Sequence, residues 1–294
     1  MDFVKPAEVL QSMVEAGESK ARMNRVQMLI RGFLAGAILA FATTLAYTAV
    51  SQTSVGLAGA LIFPAGFVII ILLGFELVTG SFALIPLAVM KRKVSVTDML
   101  SNYFWVIAGH VIGCLFYALL YGLTLTKMGT DMSNPLIQTL IQTSEAKTLG
   151  YQHLGGAGIA LVVIKAILCN WMVTLGAVMA MTSTSTLGKI AAMWLPITIF
   201  FAQGFEHAVV NMFVIPAGMM LGADVSIGDW WLWNQIPVLA GNFIGGAIFT
   251  GFGLYAAHRW GSPAAKLSST LATIPGGRSG LTSPDTASKL GTRS

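Results

Sequence analysis

The chain has 294 residues; 55% are hydrophobic and 10% charged, against about a quarter charged in an ordinary soluble domain. So few charges cannot cover a water-exposed surface of this size. The uncharged runs 32–75, 99–126, 166–188, 207–223 and 230–258 match the roughly 20 apolar residues that cross a bilayer. Soluble enzymes, disulfide scaffolds and nucleic-acid binders are therefore excluded, and the net charge of +5 sits at membrane flanks rather than on a nucleic-acid face.

Residues 1–28 come first. Asp2, Lys5, Glu8, Glu15 and Glu18 in the opening turns are incompatible with a cleavable signal peptide. Val9, Leu10, Met13, Val14 and Ala21 share one helical face, which predicts an amphipathic helix lying on the cytoplasmic surface or packed under the bundle. Six crossings follow, over 29–50, 57–90, 102–126, 157–182, 188–220 and 236–260, so 29–260 forms the transmembrane domain. Residues 261–294 are rich in Ser, Thr, Gly and Pro and read as a disordered cytoplasmic tail.

Lys20, Arg22, Arg25 and Arg31 precede the first crossing, Lys91, Arg92 and Lys93 follow the second, and Lys189 lies between the fourth and fifth. The loops on the other side carry little or balanced charge. Cytoplasmic loops accumulate Lys and Arg, which predicts a multi-pass protein of the inner (plasma) membrane with both termini cytoplasmic. Cys114 and Cys169 fall inside apolar runs and read as small packing residues.

The chain repeats itself weakly. Gly74-Phe75-Glu76 recurs as Gly204-Phe205-Glu206; Asn102, Gly109, His110, Ile112 and Gly113 recur with the same spacing as Asn234, Gly241, Asn242, Ile244 and Gly245; Arg31–Leu34 aligns with Lys165–Leu168. Each repeat holds three crossings. An odd number makes the second enter from the opposite side, as in inverted-repeat transporters, whose substrate path lies at the repeat interface.

Glu76 and Glu206 occupy equivalent places in the two overlong crossings, and ionisable residues at that depth face protein or a water-filled path. The glycines beside them, bracketed by Pro64 and Pro86 and by Pro196 and Pro216, predict interrupted helices. Freed half-helix N-termini favour an anion. His207 and Asn211 sit at the second interruption. His110 reads as a helix-to-helix hydrogen-bonding residue, and Asn170 equally as packing or as a pore donor.

Gly204-Phe-Glu-His-Ala-Val-Val-Asn-Met-Phe-Val-Ile-Pro216 resembles the fifth-helix signature of the formate/nitrite transporter family, and Gly74-Phe-Glu-Leu-Val-Thr-Gly-Ser81 its second-helix loop motif. Ile167–Trp171, Glu145–Lys147 and Gly241–Gly246 match further motifs, so the resemblance runs from about residue 5 to 260. It implies an all-α homopentamer with one six-helix, aquaporin-like pore per protomer. Thr79 then corresponds to the gating threonine of the second-helix loop and Leu77 to an apolar constriction residue. His207 corresponds to the central pore histidine, Asn170 to the asparagine contacting it, Glu206 and Asn211 to its supporting network, and Lys147 to an anion-attracting vestibule lysine. Val78 departs from an aromatic constriction residue of some members, which implies a wider slit.

These readings lead to transport of a small monovalent weak-acid anion, formate or nitrite, channel-like or coupled to protons. Apolar rings make the full charge costly, and protonation removes most of that cost. His207 is the side chain suited to exchange the proton or to tune the field while water supplies it. Bicarbonate, hydrosulfide, lactate or a neutral solute is the alternative cargo, although the two Asn-Pro-Ala boxes of aquaporins are missing. An intramembrane enzyme would need a nucleophile or metal cluster at membrane depth; Gly277-Arg278-Ser279-Gly280 lies in the tail. No cofactor and no metal is expected.

Overall fold

The computed structural model describes residues 2–259; the tail and its Gly277–Gly280 tetrapeptide lie outside the described residues. Pro6, whose ring pre-sets the helical φ, opens helix α1 (Pro6–Ala21). Val9, Leu10, Met13 and Val14 bury one face of α1 against Leu84, Leu87 and Val178, so of the two expected placements the chain adopts the packed one.

The first repeat then runs α2 (Arg25–Thr53), α3 (Gly56–Ile62), α4 (Pro64–Leu72), α5 (Val78–Met90) and α6 (Val96–Leu125). Between the repeats lie α7 (Pro135–Lys147) and α8 (Leu149–Gln152). The second repeat runs α9 (Gly156–Met179), α10 (Thr186–Ala202), α11 (Ala208–Met220), α12 (Ile227–Trp230), α13 (Ile236–Ile244) and α14 (Gly253–Arg259). The last three form one continuous rod, joined by π-helical stretches over Trp231–Gln235 and Gly245–Phe252. Among the described residues, four uninterrupted helical stretches are long and apolar enough to cross a membrane. The remaining two crossings are interrupted, as the sequence predicts: the second runs through α3, α4 and α5, and the fifth through α10 and α11.

Local sequence explains most boundaries. Asn24 accepts a hydrogen bond from Gln27 N at the start of α2. Ser95 with Asp98, and Ser226 with Asp229, form capping boxes at the starts of α6 and α12. Two expectations shift. The sixth crossing begins at Ile227 rather than 236, because its polar first turn hides the start from a hydropathy reading. The 127–156 loop contains α7 and α8: Asn134 caps Leu136 N, Pro135 fills the first turn, and Leu136, Ile137 and Leu140 are buried. The prolines flank the interruptions at a distance, as the sequence places them. Pro86, Pro196 and Pro216 sit inside α5, α10 and α11, and Pro64 opens α4.

The repeat is physical as well as textual. A Cβ added at Gly109 would fall on the Leu29 carbonyl and at Gly113 on that of Phe33, while one at Gly245 would fall on Ile167 and one at Gly241 would lie 2.7 Å from the Val163 carbonyl. Glycine therefore lets α2 press on α6, and α9 on α13, at corresponding positions. Both cysteines are buried, as expected of packing residues.

Candidate functional site

Each interruption is made the same way. After α4, Gly74 takes φ +67°, Phe75 N returns to the Ile70 carbonyl at 2.9 Å, and Leu77 is extended before α5 starts. After α10, Gly204 takes φ +62°, Phe205 N returns to the Phe200 carbonyl at 3.3 Å, and His207 is extended before α11 starts. Both glycines occupy the left-handed region, which a side chain would disfavour, and there the chain turns back toward the interior. Glycine, not proline, thus makes the turn.

Two buried carboxylates pin these turns. Glu76 receives Lys20 Nζ at 2.7 Å, and Glu206 receives Lys147 Nζ at 2.8 Å, Tyr151 Oη at 2.8 Å and Asn211 Nδ2 at 2.7 Å. Asn102 Nδ2 donates to the Lys20 carbonyl at 3.0 Å, and Asn234 Nδ2 to the Lys147 carbonyl at 2.9 Å. The same device therefore stands behind each turn, with a lysine from outside the three crossings supplying the charge. A carboxylate so enclosed requires such a partner, since an unpaired charge there costs several kcal/mol.

The half-helix starts are capped by a further matched pair. Val78 N donates to His110 Nε2 at 3.1 Å, and Ala208 N to Asn242 Oδ1 at 2.9 Å. Val210 N donates to His207 Nδ1 at 3.2 Å. Among the described residues the amides of Thr79, Gly80 and Val209 find no backbone or side-chain acceptor. Such donors at two converging helix N-termini are suited to an anion.

The turns converge where Thr79 Oγ1 and His207 Nε2 lie 3.0 Å apart. Leu77 and Val78 are buried beside Thr79, and the Phe200 ring stacks on the imidazole with centroids 5.7 Å apart. Asn170 Nδ2 donates to the Thr79 carbonyl at 3.1 Å and the Asn242 carbonyl at 2.6 Å, while its Oδ1 has no partner. On the face carrying Lys20 and Lys189 a cleft of about 300 Å³ leads to Leu77.

Of the residues singled out from the sequence, Thr79, Leu77, Val78, His207 and Asn170 thus gather at one place. Asn170 bonds the Thr79 backbone rather than the imidazole. Glu206, Asn211 and Lys147 form one network behind the second turn, and Lys147 has its charge engaged by Glu206, with 17% of its side chain exposed. Sequence reading missed Lys20, Tyr151 and the capping roles of His110 and Asn242. The repeat alignment pairs the last two and was the available signal; nothing in the local sequence points to Lys20. No group of His, Cys, Asp or Glu that could hold a metal occurs among the described residues.

Residues 7–256 match the family model described as formate/nitrite transporter. The chain belongs to the formate/nitrite transporter family. It is a multi-pass membrane transport protein, not an enzyme. Among curated relatives, the "Uncharacterized transporter YrhG" of Bacillus subtilis is 33% identical over 88% of this chain and 95% of its own length. The "Formate channel BtFdhC" of Bacillus thuringiensis is 30% identical over 88% of this transporter and 97% of its own length. Two solved structures share its fold. An "FNT family ion channel" superposes with TM-score 0.69 at 22% identity, covering 85% of this chain and 99% of that one. A "Pentameric formate channel with formate bound" superposes with TM-score 0.64 at 21% identity, covering 79% and 97%.

Proposed function

We propose that this transporter passes a small monovalent weak-acid anion, formate or nitrite, through a pore in each protomer of a homopentamer in the inner membrane, with both termini cytoplasmic. The meeting of Thr79 and His207 carries this reading. Two half-helix N-termini end there with unpaired amides, inside an apolar surround that penalises a bare charge. The relative named a formate channel and the formate-bound pentameric structure of the same fold support the cargo and the assembly.

An anion entering from the Lys20 and Lys189 cleft passes Leu77, meets the free amides, and takes the His207 Nε2 hydrogen bond over from Thr79 Oγ1. A proton bound to it on the way lowers the cost of crossing the apolar layer. The far side is reached beside the Glu206 network. Lys147 contributes its field there together with its carboxylate partner, so the half-helix termini supply more of the attraction than the lysine does.

Uptake into proteoliposomes, with formate and nitrite offered separately across a pH series, tests the reading. Saturating uptake of either anion by the reconstituted protein is expected. Its absence for both, with the protein intact, overturns the proposal. Replacing His207 with Phe should alter the pH dependence, and an unchanged profile from about pH 5 to 8 would remove His207 from the mechanism.

A further inference from the structure

His110 is fully buried, and both ring nitrogens are engaged by backbone. Nε2 faces Val78 N at 3.1 Å and Nδ1 faces the Gly32 carbonyl at 2.8 Å. An amide N–H can only donate and a carbonyl can only accept. The ring is therefore the neutral tautomer with its proton on Nδ1. Its counterpart Asn242 accepts from Ala208 N at 2.9 Å and donates to the Ala166 carbonyl at 2.8 Å. Ala166 corresponds to Gly32 in the repeat, so the two side chains clasp the same pair of backbone groups in each half.

One bond breaks the match. Asn242 Nδ2 also donates to the Glu206 carbonyl at 2.9 Å, tying down the residue before His207. His110, with one N–H already spent on Gly32, makes no bond to the Glu76 carbonyl. The first turn thus hangs on His110 by its cap alone, and the capped residue, Val78, lies between Leu77 and Thr79.

We propose that His110 is a positioning residue that sets selectivity: by capping α5 through Nε2 it fixes the width of the Leu77–Thr79 constriction, the task Asn242 performs for α11. The proposal rests on the pore reading above. Without the cap, Val78 N is a buried donor with no partner, the start of α5 is free to unwind, and Leu77 and Thr79 shift with it. Asparagine at position 110 can supply the same acceptor and donor; leucine supplies neither.

Two measurements on the full-length protein test this. Proteoliposome uptake of formate and lactate is compared for wild type, His110→Asn and His110→Leu, each first shown to keep its assembled size in detergent. The formate-to-lactate ratio is expected to fall several-fold in His110→Leu and to stay within twofold of wild type in His110→Asn. A ratio unchanged in His110→Leu, or lost equally in both variants, overturns the proposal. Hydrogen exchange of the peptide containing Val78–Gly80 is measured in parallel and needs no transport. Faster exchange in His110→Leu alone supports the cap, and equal exchange in all three overturns it even if no anion is carried. If His110→Leu fails to assemble, the Asn variant decides by itself: slow exchange at wild-type level supports the cap, and fast exchange overturns it.

Discussion

The amide of Val210 points its hydrogen at Nδ1 of His207 from 3.2 Å, and this single bond fixes which proton the imidazole carries. Nδ1 must be bare, so the ring hydrogen is on Nε2, and it is this N–H that reaches Thr79 Oγ1 at 3.0 Å. His207 therefore donates across the repeat interface in its neutral form. Adding a proton at Nδ1 would break the bond to Val210, and giving up the one at Nε2 would leave an imidazolate. In this conformation the residue offers a hydrogen bond more readily than a proton.

Thr79→Val keeps the volume and removes the acceptor. The His207 N–H is then buried without a partner, which costs about 1–3 kcal/mol. A lower thermal unfolding temperature and altered uptake are expected. Wild-type values of both would show that the contact contributes nothing.

Lys147→Met strips the cation from Glu206, a carboxylate 1% exposed, and leaves it only the neutral donors Tyr151, Asn211 and Asn234. Breaking a buried pair from one side costs about 3–5 kcal/mol. The double variant Lys147→Met/Glu206→Gln removes both charges and should recover most of the loss in thermal unfolding. Two single losses that simply add would show that the pair is not coupled.

Gly113→Ala places a methyl group against the Phe33 carbonyl, on the rigid backbone of α2. Gly74→Ala meets open space and pays only for its φ of +67°. The first should therefore destabilise the protein by more than the roughly 1 kcal/mol expected of the second, a difference that denaturation in detergent resolves. The reverse order would mean that α2 and α6 do not depend on close backbone contact.

Lys20→Met tests whether α1 is part of the pore. Lys20 belongs to α1 and pairs with Glu76, so the first turn loses its only salt bridge among the described residues. Reduced uptake is expected, together with faster hydrogen exchange over residues 73–80. The Lys147–Glu206 pair lies in the other half, and exchange near Gly204 should not change.

Charge spacing in the sequence determined that the chain crosses a membrane. The displaced matches, from Gly74-Phe75-Glu76 to Asn234 and Gly241, determined that it does so as two inverted halves. The interruptions were also legible, because a glutamate inside an overlong apolar run must be turned away from lipid, and the glycine beside it lets the backbone make that turn. Only the tertiary structure decided which groups meet. Lys20 finds Glu76 from 56 positions away and Thr79 finds His207 from 128, and neither separation has a period that a helix could announce. These partners are set by how α1 tucks under α5 and how tightly the glycine-lined helices press together. The same packing gave Asn170 to the Thr79 carbonyl instead of the imidazole, and made a cap of His110, since a side chain bonds whatever backbone the approach of its neighbour leaves unpaired.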